Sequence, residues 1–330
     1  MRVSIVIPTK NGLPWLRDSL GIFLNQDFPG EYEILVVDSG STDGTLEWLS
    51  RADGVRCVSI APENFGHGKT RNAALQWARG GLLLFTVQDA APRNTRWLKD
   101  MVEALESTGS DAVCGGQAVR QDWRFNPWEW HLDEDLQRPV RVWDGRLFSG
   151  WSLDERLTAS SWDNVNALYR RSALETIPFP DVTFGEDMGW AQAALRQGFK
   201  LAQVPACAVY HYHVSTAAFV RDRTWAACAL VEREFGLLDN APATGRLAAH
   251  ADRRRSWKKL RTIVKKLNFF AALSLLSWLL YNLRLKWHKG AALRDSMEAL
   301  RQARMGSHQD WLRRELASPQ APNLAKKATR

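Results

Sequence analysis

The chain has 330 residues, 45% of them hydrophobic, with a formal net charge of +8, which is material for one large or two modest domains with real cores. Its four cysteines, Cys57, Cys114, Cys207 and Cys228, show no CxxC spacing, which indicates neither a zinc cluster nor a disulfide framework and suits a reducing cytoplasm. The charge is divided: residues 1–240 carry 24 Lys+Arg against 31 Asp+Glu, a balance of −7, and residues 241–330 carry 20 against 5, a balance of +15, which argues against a nucleic-acid-binding core and for a basic appendage facing something anionic.

The chain opens on "MRVSIVIPTK", a short strand-like run and not the long apolar core of a signal peptide. Strand-like runs follow at 3–8, 32–38, 55–60, 81–87 and 111–116, with helix-like segments between them at 13–25, 43–51, 69–79 and 95–107. The strand runs are nearly continuous in apolar residues, as buried parallel strands are. The alternation predicts an α/β fold, an open, mostly parallel sheet with helices on both faces and right-handed crossovers. Ligands of such sheets sit beyond the carboxyl ends of the strands. Those ends are polar here: Thr9-Lys10-Asn11, Asp38 to Gly44, the turn 66–72, and Gln88-Asp89.

The turn "NFGHGKTRN" at 64–72 contains Gly-Lys-Thr. A P-loop needs a Gly five positions before the Gly of that ending; Glu63 stands there, and its carboxylate repels phosphate. The third Gly of a dinucleotide fingerprint is also missing. What remains is a Gly-rich turn feeding a helix N-terminus, which can hold an anion or be an ordinary strand–helix turn.

From 117 to 165 the alternation lapses and Trp accumulates, at 123, 128, 130, 143, 151 and 162. Aromatic faces suit sugar rings and membrane interfaces, and core packing accounts for most such residues. Residues 163–216 hold a strand-like piece, a short helix, the acidic pair Glu186-Asp187 opening a helix, and a strand running into His211-Tyr212-His213. Eight Lys/Arg then precede the apolar stretch 269–281. The stretch is too short to span a bilayer. Beside its basic flank it reads as an interfacial helix on anionic lipid, against the alternative of a helical pair packed on the core or on a second subunit. The last residues, "SPQAPNLAKKATR", have a disordered composition.

Five motifs in series, "VSIVIPTKNG", "ILVVDSGSTDGT", "FGHGKTRNAA", "TVQDAAP" and "FGEDMGWAQAALRQGFK", resemble those of family 2 inverting glycosyltransferases with the GT-A fold, over residues 1–215. Within that family, "GGQ…NP" at 115–127 and "DNVNA…RR…IPFPDV.FGEDM" are most similar to bacterial rhamnosyltransferases of surface polysaccharides. The resemblance implies a nucleotide-sugar-binding half at 1–116 and an acceptor half at 117–240. A basic, membrane-associating helical extension at 241–316 and a tail at 317–330 would follow.

It also implies roles. Thr9, Asp38, Arg71, Gln88 and Asp89 would bind the donor. Asp38 would accept from a pyrimidine imide, or else merely form its turn. Arg71 would pair with the diphosphate, or else form a structural ion pair. Asp43 reads as a helix cap and Lys69 as a solvated residue at a helix start. Asp89 aligns with the first carboxylate of a metal-holding Asp-x-Asp, whose second carboxylate is replaced by Ala91. With His211, or His213 in its place, Asp89 would hold Mg²⁺ or Mn²⁺. Asp187 would be the general base, and Glu186 would orient the acceptor or raise the pKa of that base. Trp162, Asp163 and Asn164 would line the acceptor pocket.

The expected activity is transfer of L-rhamnose from dTDP-rhamnose to a lipid-linked or polysaccharide acceptor, at the cytoplasmic face of the cell membrane. The alternatives are a UDP-hexose or UDP-HexNAc transferase of the same fold and an inactive carbohydrate-binding scaffold.

Overall fold

The computed structural model describes residues 2–119, 136–211, 216–235, 284 and 286–299. The chain divides into two compact units, Met1–His213 and Val214–Arg330, so the division falls inside the span 117–240.

The first unit is built on a nine-stranded sheet. Its first half follows the local pattern closely: β1 (Val3–Thr9), α1 (Leu13–Leu24), β2 (Tyr32–Asp38), α2 (Thr45–Leu49), β3 (Val55–Ser59), α3 (His67–Trp77), β4 (Leu82–Thr86), the two-residue β5 (Ala91–Pro92), α4 (Trp97–Thr108) and β6 (Ala112–Ala118). Then come β7 (Arg141–Asp144), α5 (Leu153–Ala159), β8 (Asn166–Arg170), α6 (Arg171–Thr176), α7 (Glu186–Arg196) and β9 (Lys200–Tyr210). The strand order is β3-β2-β1-β4-β8-β6-β9-β5, with β7 paired to β9.

Strands β1 to β4 are mutually parallel. Side chains alternate across the sheet because the strand period is two. Val6, Leu35, Leu83 and Phe85 face a core shared with Tyr169, Phe179 and Trp190. Ile5, Ile7, Ile34 and Leu84 face the opposite one, with Leu16, Phe23, Trp97 and Met101. Burial on both faces is why these strands read as unbroken apolar runs.

The sheet departs from the parallel pattern at β8, which lies antiparallel between β4 and β6, with Thr86 opposite Asn166 and Leu82 opposite Arg170. Its reversal has a functional consequence. The residues just before β8, Trp162 to Val165, are delivered to the carboxyl edge of β4, where the chain continues into Gln88 and Asp89. β6 and β9 run parallel with a register shift between Gly115 and Gly116. A Cβ on Gly116 would stand 2.1 Å from the Pro205 carbonyl oxygen, and one on Gly115 2.2 Å from that of Cys207. Only glycine allows β9 to press this close.

Of the second unit, the described parts are α8 (Ala217–Phe235) and a helix over 286–299. They bury Cys228, Leu230, Val231, Ala292 and Met297. Among the described residues no helix is long and apolar enough to cross a membrane. The basic and apolar run at 253–289 lies outside the described residues except for 284 and 286–289, as do His213 and the tail.

Candidate active site

The carboxyl ends of β1, β2 and β4 make the first wall. Asp38 is fully buried. Its Oδ2 accepts from the backbone N–H of Gly40 (2.9 Å) and Ser41 (3.1 Å), and its Oδ1 from the Ser41 hydroxyl. The carboxylate thus ties down its own turn. Asn11, in the left-handed region at φ 52°, accepts from Thr42 N–H (2.8 Å) and donates its own N–H to the Ser41 hydroxyl oxygen (2.7 Å). Asp43 accepts from the N–H groups of Thr45 and Leu13. Gln88 Oε1 accepts from the Thr9 hydroxyl (2.7 Å) and from Lys10 N–H (2.8 Å), joining the edges of β1 and β4.

The second wall comes from α7. Gly185, at φ 78°, turns the chain into the helix, a left-handed conformation that suits glycine. Glu186 and Asp187 follow in the first turn. Glu186 is buried, and its Oε1 accepts from Arg71 Nη1 (3.0 Å) and Asn164 Nδ2 (3.3 Å). Arg71 also donates to the His67 carbonyl (3.0 Å) and lies over the Phe85 ring. Arg71 forms an ion pair with Glu186, and only 4% of its side chain is exposed.

Asp187 Oδ1 accepts from Met188 N–H (2.8 Å) and Oδ2 from Asn164 N–H (3.3 Å). Burial raises its pKa to about 7, helped by the negative charges of Glu186 and Asp163 and opposed by the Met188 N–H and Arg71. A carboxyl poised near neutrality is suited to exchanging protons with substrate.

The residues before β8 brace this pair. Trp162 Nε1 donates to Tyr169 Oη (2.7 Å), and Tyr169 Oη donates to Asn164 Oδ1 (2.6 Å). That bond orients the Asn164 amide nitrogen toward Glu186. Trp162 is 5% exposed and packs with Tyr169 and Trp190. It belongs to the aromatic core beneath the site, with its indole N–H held by Tyr169. Asp163 Oδ1 accepts from Val165 N–H (2.9 Å) and Oδ2 from Gln117 Nε2 (2.5 Å).

Asp89 and His211 meet because β5 pairs with the end of β9, Ala91 opposite Tyr210. His211 Nε2 stands 3.7 Å from Asp89 Oδ1, and its Nδ1 is 2.8 Å from Gln117 Oε1. Ala91, at the place of a second carboxylate, is instead part of this β pairing. Among the described residues no group of three or more His, Cys, Asp or Glu is arranged so that it could hold a metal ion by itself. A carboxylate oxygen and an imidazole nitrogen are nonetheless a fitting protein share for Mg²⁺ or Mn²⁺ when phosphate oxygens and water complete the shell.

Gln117 stands in the "GGQ" motif but carries no role in the sequence reading, and Tyr169 is not singled out there. The signal for Gln117 was the Gly115-Gly116 pair before it, which marks a close backbone approach. Tyr169 lies in the strand segment "NALYR" and reads as an ordinary core residue.

A family profile described as Glycosyl transferase family 2 matches residues 4–177. The O-antigen chain rhamnosyltransferase RfbN of Salmonella typhimurium is 29% identical over 219 residues, 64% of this chain and 67% of the relative. The O-antigen chain rhamnosyltransferase WbaN of Salmonella anatum is 30% identical over 216 residues, 64% of this chain and 66% of the relative. The chain therefore spans about two thirds of these relatives' length. Among solved structures, the mannosyltransferase PcManGT from Pyrobaculum calidifontis in complex with GDP-Man and Mn²⁺ aligns with a TM-score of 0.58 at 21% identity, covering 91% of this chain and 86% of that one. TarS 1–349 of S. aureus in complex with UDP-GlcNAc aligns at 0.52 and 19%, covering 92% of each chain. Both show the shared GT-A-like fold.

Proposed function

The chain belongs to glycosyl transferase family 2, and from that premise we propose that it performs an inverting transfer of L-rhamnose from dTDP-rhamnose to a hydroxyl of a lipid-linked or polysaccharide acceptor in surface-glycan assembly. It is a glycosyltransferase resembling bacterial rhamnosyltransferases. The observation that carries the mechanism is the placement of Asp187 in the first turn of α7, beside Glu186 and accepting from Asn164 N–H, where desolvation pushes its pKa up to about 7.

In this reading the acceptor oxygen attacks the anomeric carbon, the bond from that carbon to the diphosphate oxygen breaks, and the hydroxyl proton passes to Asp187. Glu186, fixed by Arg71 and Asn164, keeps negative charge beside the base and so holds its proton affinity up. Asp38, Asn11, Ser41, Thr9 and Gln88 shape the strand-end wall for the nucleoside. Asp89 and His211 are the residues that would hold a divalent cation, which supplies neutralisation of the charge growing on the departing diphosphate. The basic run at 253–289 would hold the enzyme on anionic lipid at the cytoplasmic face, near a lipid-linked acceptor.

The donor reading rests on similarity to the two Salmonella rhamnosyltransferases. Calorimetry of the full chain against dTDP-L-rhamnose, UDP-hexoses and UDP-HexNAc tests it. Tight binding of a UDP sugar with none of dTDP-rhamnose reverses the donor assignment. A product that keeps the donor's anomeric configuration, read by NMR, removes the single-displacement mechanism.

A further inference from the structure

We propose that Gln117 is a positioning residue for the cation end of the site: it fixes which nitrogen of His211 faces Asp89 and locks that imidazole to the Asp163 side of the acceptor wall. This rests on the reading of Asp89 and His211 as a cation-holding pair.

The argument runs along one hydrogen-bonded line. Asp163 Oδ2 accepts from the Gln117 side chain (2.5 Å). An ionised carboxylate only accepts, so the atom of Gln117 facing it must be the NH₂ group. The amide oxygen then faces His211 Nδ1 at 2.8 Å. A carbonyl oxygen only accepts, so Nδ1 carries the hydrogen. In the neutral imidazole Nε2 then presents its lone pair, and Nε2 is the atom 3.7 Å from Asp89 Oδ1. Two electron-donating atoms, one nitrogen and one oxygen, are thus turned toward the same place.

The backbone makes the line rigid at both ends. Gln117 pairs with Val209 in the parallel register of β6 and β9, and His211 N–H donates to the Ala118 carbonyl (3.0 Å). At the far end Asp163 is held by Val165 N–H (2.9 Å). The Gly115-Gly116 pair, where β9 presses against β6, permits this approach. A partner on the second nitrogen of a metal-binding His orients the ring and raises its basicity, and losing it costs about 10- to 100-fold in metal affinity.

The test has two readouts independent of turnover. Long-range ¹H–¹⁵N NMR of ¹⁵N-His-labelled full-length protein reports the tautomer of His211, assigned with His211→Ala. EPR of free Mn²⁺, with dTDP present, reports cation affinity. Expected are Nδ1–H with bare Nε2 in the native protein, loss of that tautomer preference in Gln117→Leu, and a fall of about 10- to 100-fold in its Mn²⁺ affinity. Gln117→Glu keeps an acceptor for Nδ1–H but sets a second carboxylate against Asp163, so it should keep the Nδ1–H tautomer while losing the tie to Asp163. In His211→Ala the Gln117→Leu change should add nothing.

An Nε2–H tautomer in the native protein overturns the proposal without any variant having to fold, and so does Mn²⁺ affinity unchanged in a folded Gln117→Leu protein. Absence of Mn²⁺ binding to native protein overturns it as well. None of these results bears on whether rhamnose is transferred, and failure of the donor screen leaves the tautomer and affinity predictions standing.

Discussion

Replacing Asp187 by Asn should lower transfer and raise stability at the same time, with the stability gain appearing only above a definite pH. The carboxyl has its pKa raised from 3.8 to about 7, burial being the largest cause. Below 3.8 the folded and unfolded chains both hold the proton and the group contributes no penalty. As pH rises the unfolded chain releases its proton first, so stability falls, and the full cost is present once pH exceeds the folded value near 7. A shift of about three units at 1.36 kcal/mol each is a cost of about 4 kcal/mol. Asn carries no charge and escapes it. It keeps one oxygen for Met188 N–H but sets an NH₂ against Asn164 N–H, which takes back about 1 kcal/mol. Urea denaturation of the full chain should therefore find the Asp187→Asn protein about 3 kcal/mol more stable than native at about pH 8.5, with the difference gone or slightly reversed near pH 4. Sugar transfer should fall by at least about 10²-fold because the proton acceptor is lost. A stability difference that is the same at both pH values refutes the buried-charge argument, and a transfer loss under about tenfold refutes the general-base role.

Glu186→Gln removes the largest charge contribution to the Asp187 shift, so the acidic limb of the kcat/KM profile, expected near pH 7 in native enzyme, should move down by up to about one unit; an unmoved limb assigns the titration elsewhere. Arg71→Met leaves Glu186 buried without its ion partner and should cost about 3–5 kcal/mol, measured by the same denaturation series; a loss under about 1 kcal/mol means the pair is not closed in solution. Tyr169→Phe strips the acceptor from Trp162 and the donor from Asn164 and should cost about 1–3 kcal/mol; neutrality by thermal melting shows the relay to be dispensable. Deleting 253–289 should release the protein from anionic liposomes in a sedimentation assay, and unchanged sedimentation removes the membrane proposal.

Much of the first half of the fold was legible because its signals are local. The run 32–38 was expected as a strand and is Tyr32–Asp38; 95–107 was expected as a helix and is Trp97–Thr108. A strand buried on both faces must be apolar throughout, and a helix on its flank must repeat near every third or fourth residue, so the chain records both without reference to anything distant. The polar residues at strand ends were legible for the same reason: an apolar run stops where the chain leaves the core. The acidic pair at Glu186-Asp187 stood out because it opens a helix after a glycine.

Partnership was not legible. Arg71 and Glu186 are 115 positions apart, and Gln117 and His211 are 94 apart. Nothing local distinguishes an arginine bound for a carboxylate from one bound for a phosphate, and sequence reasoning left both open. The deciding event is the insertion of β8 in reverse between β4 and β6. It brings Asp163 and Asn164 to the strand edge and carries Tyr169 beneath them, so that Asp163 and Glu186 both act on Asp187. The sequence by itself determined which segments become strands and helices and which acids stand at their ends, because burial of a segment is written in its own composition. Only the tertiary structure decided that Asp187 has its pKa raised, because that depends on desolvation and on neighbours that folding alone brings within reach.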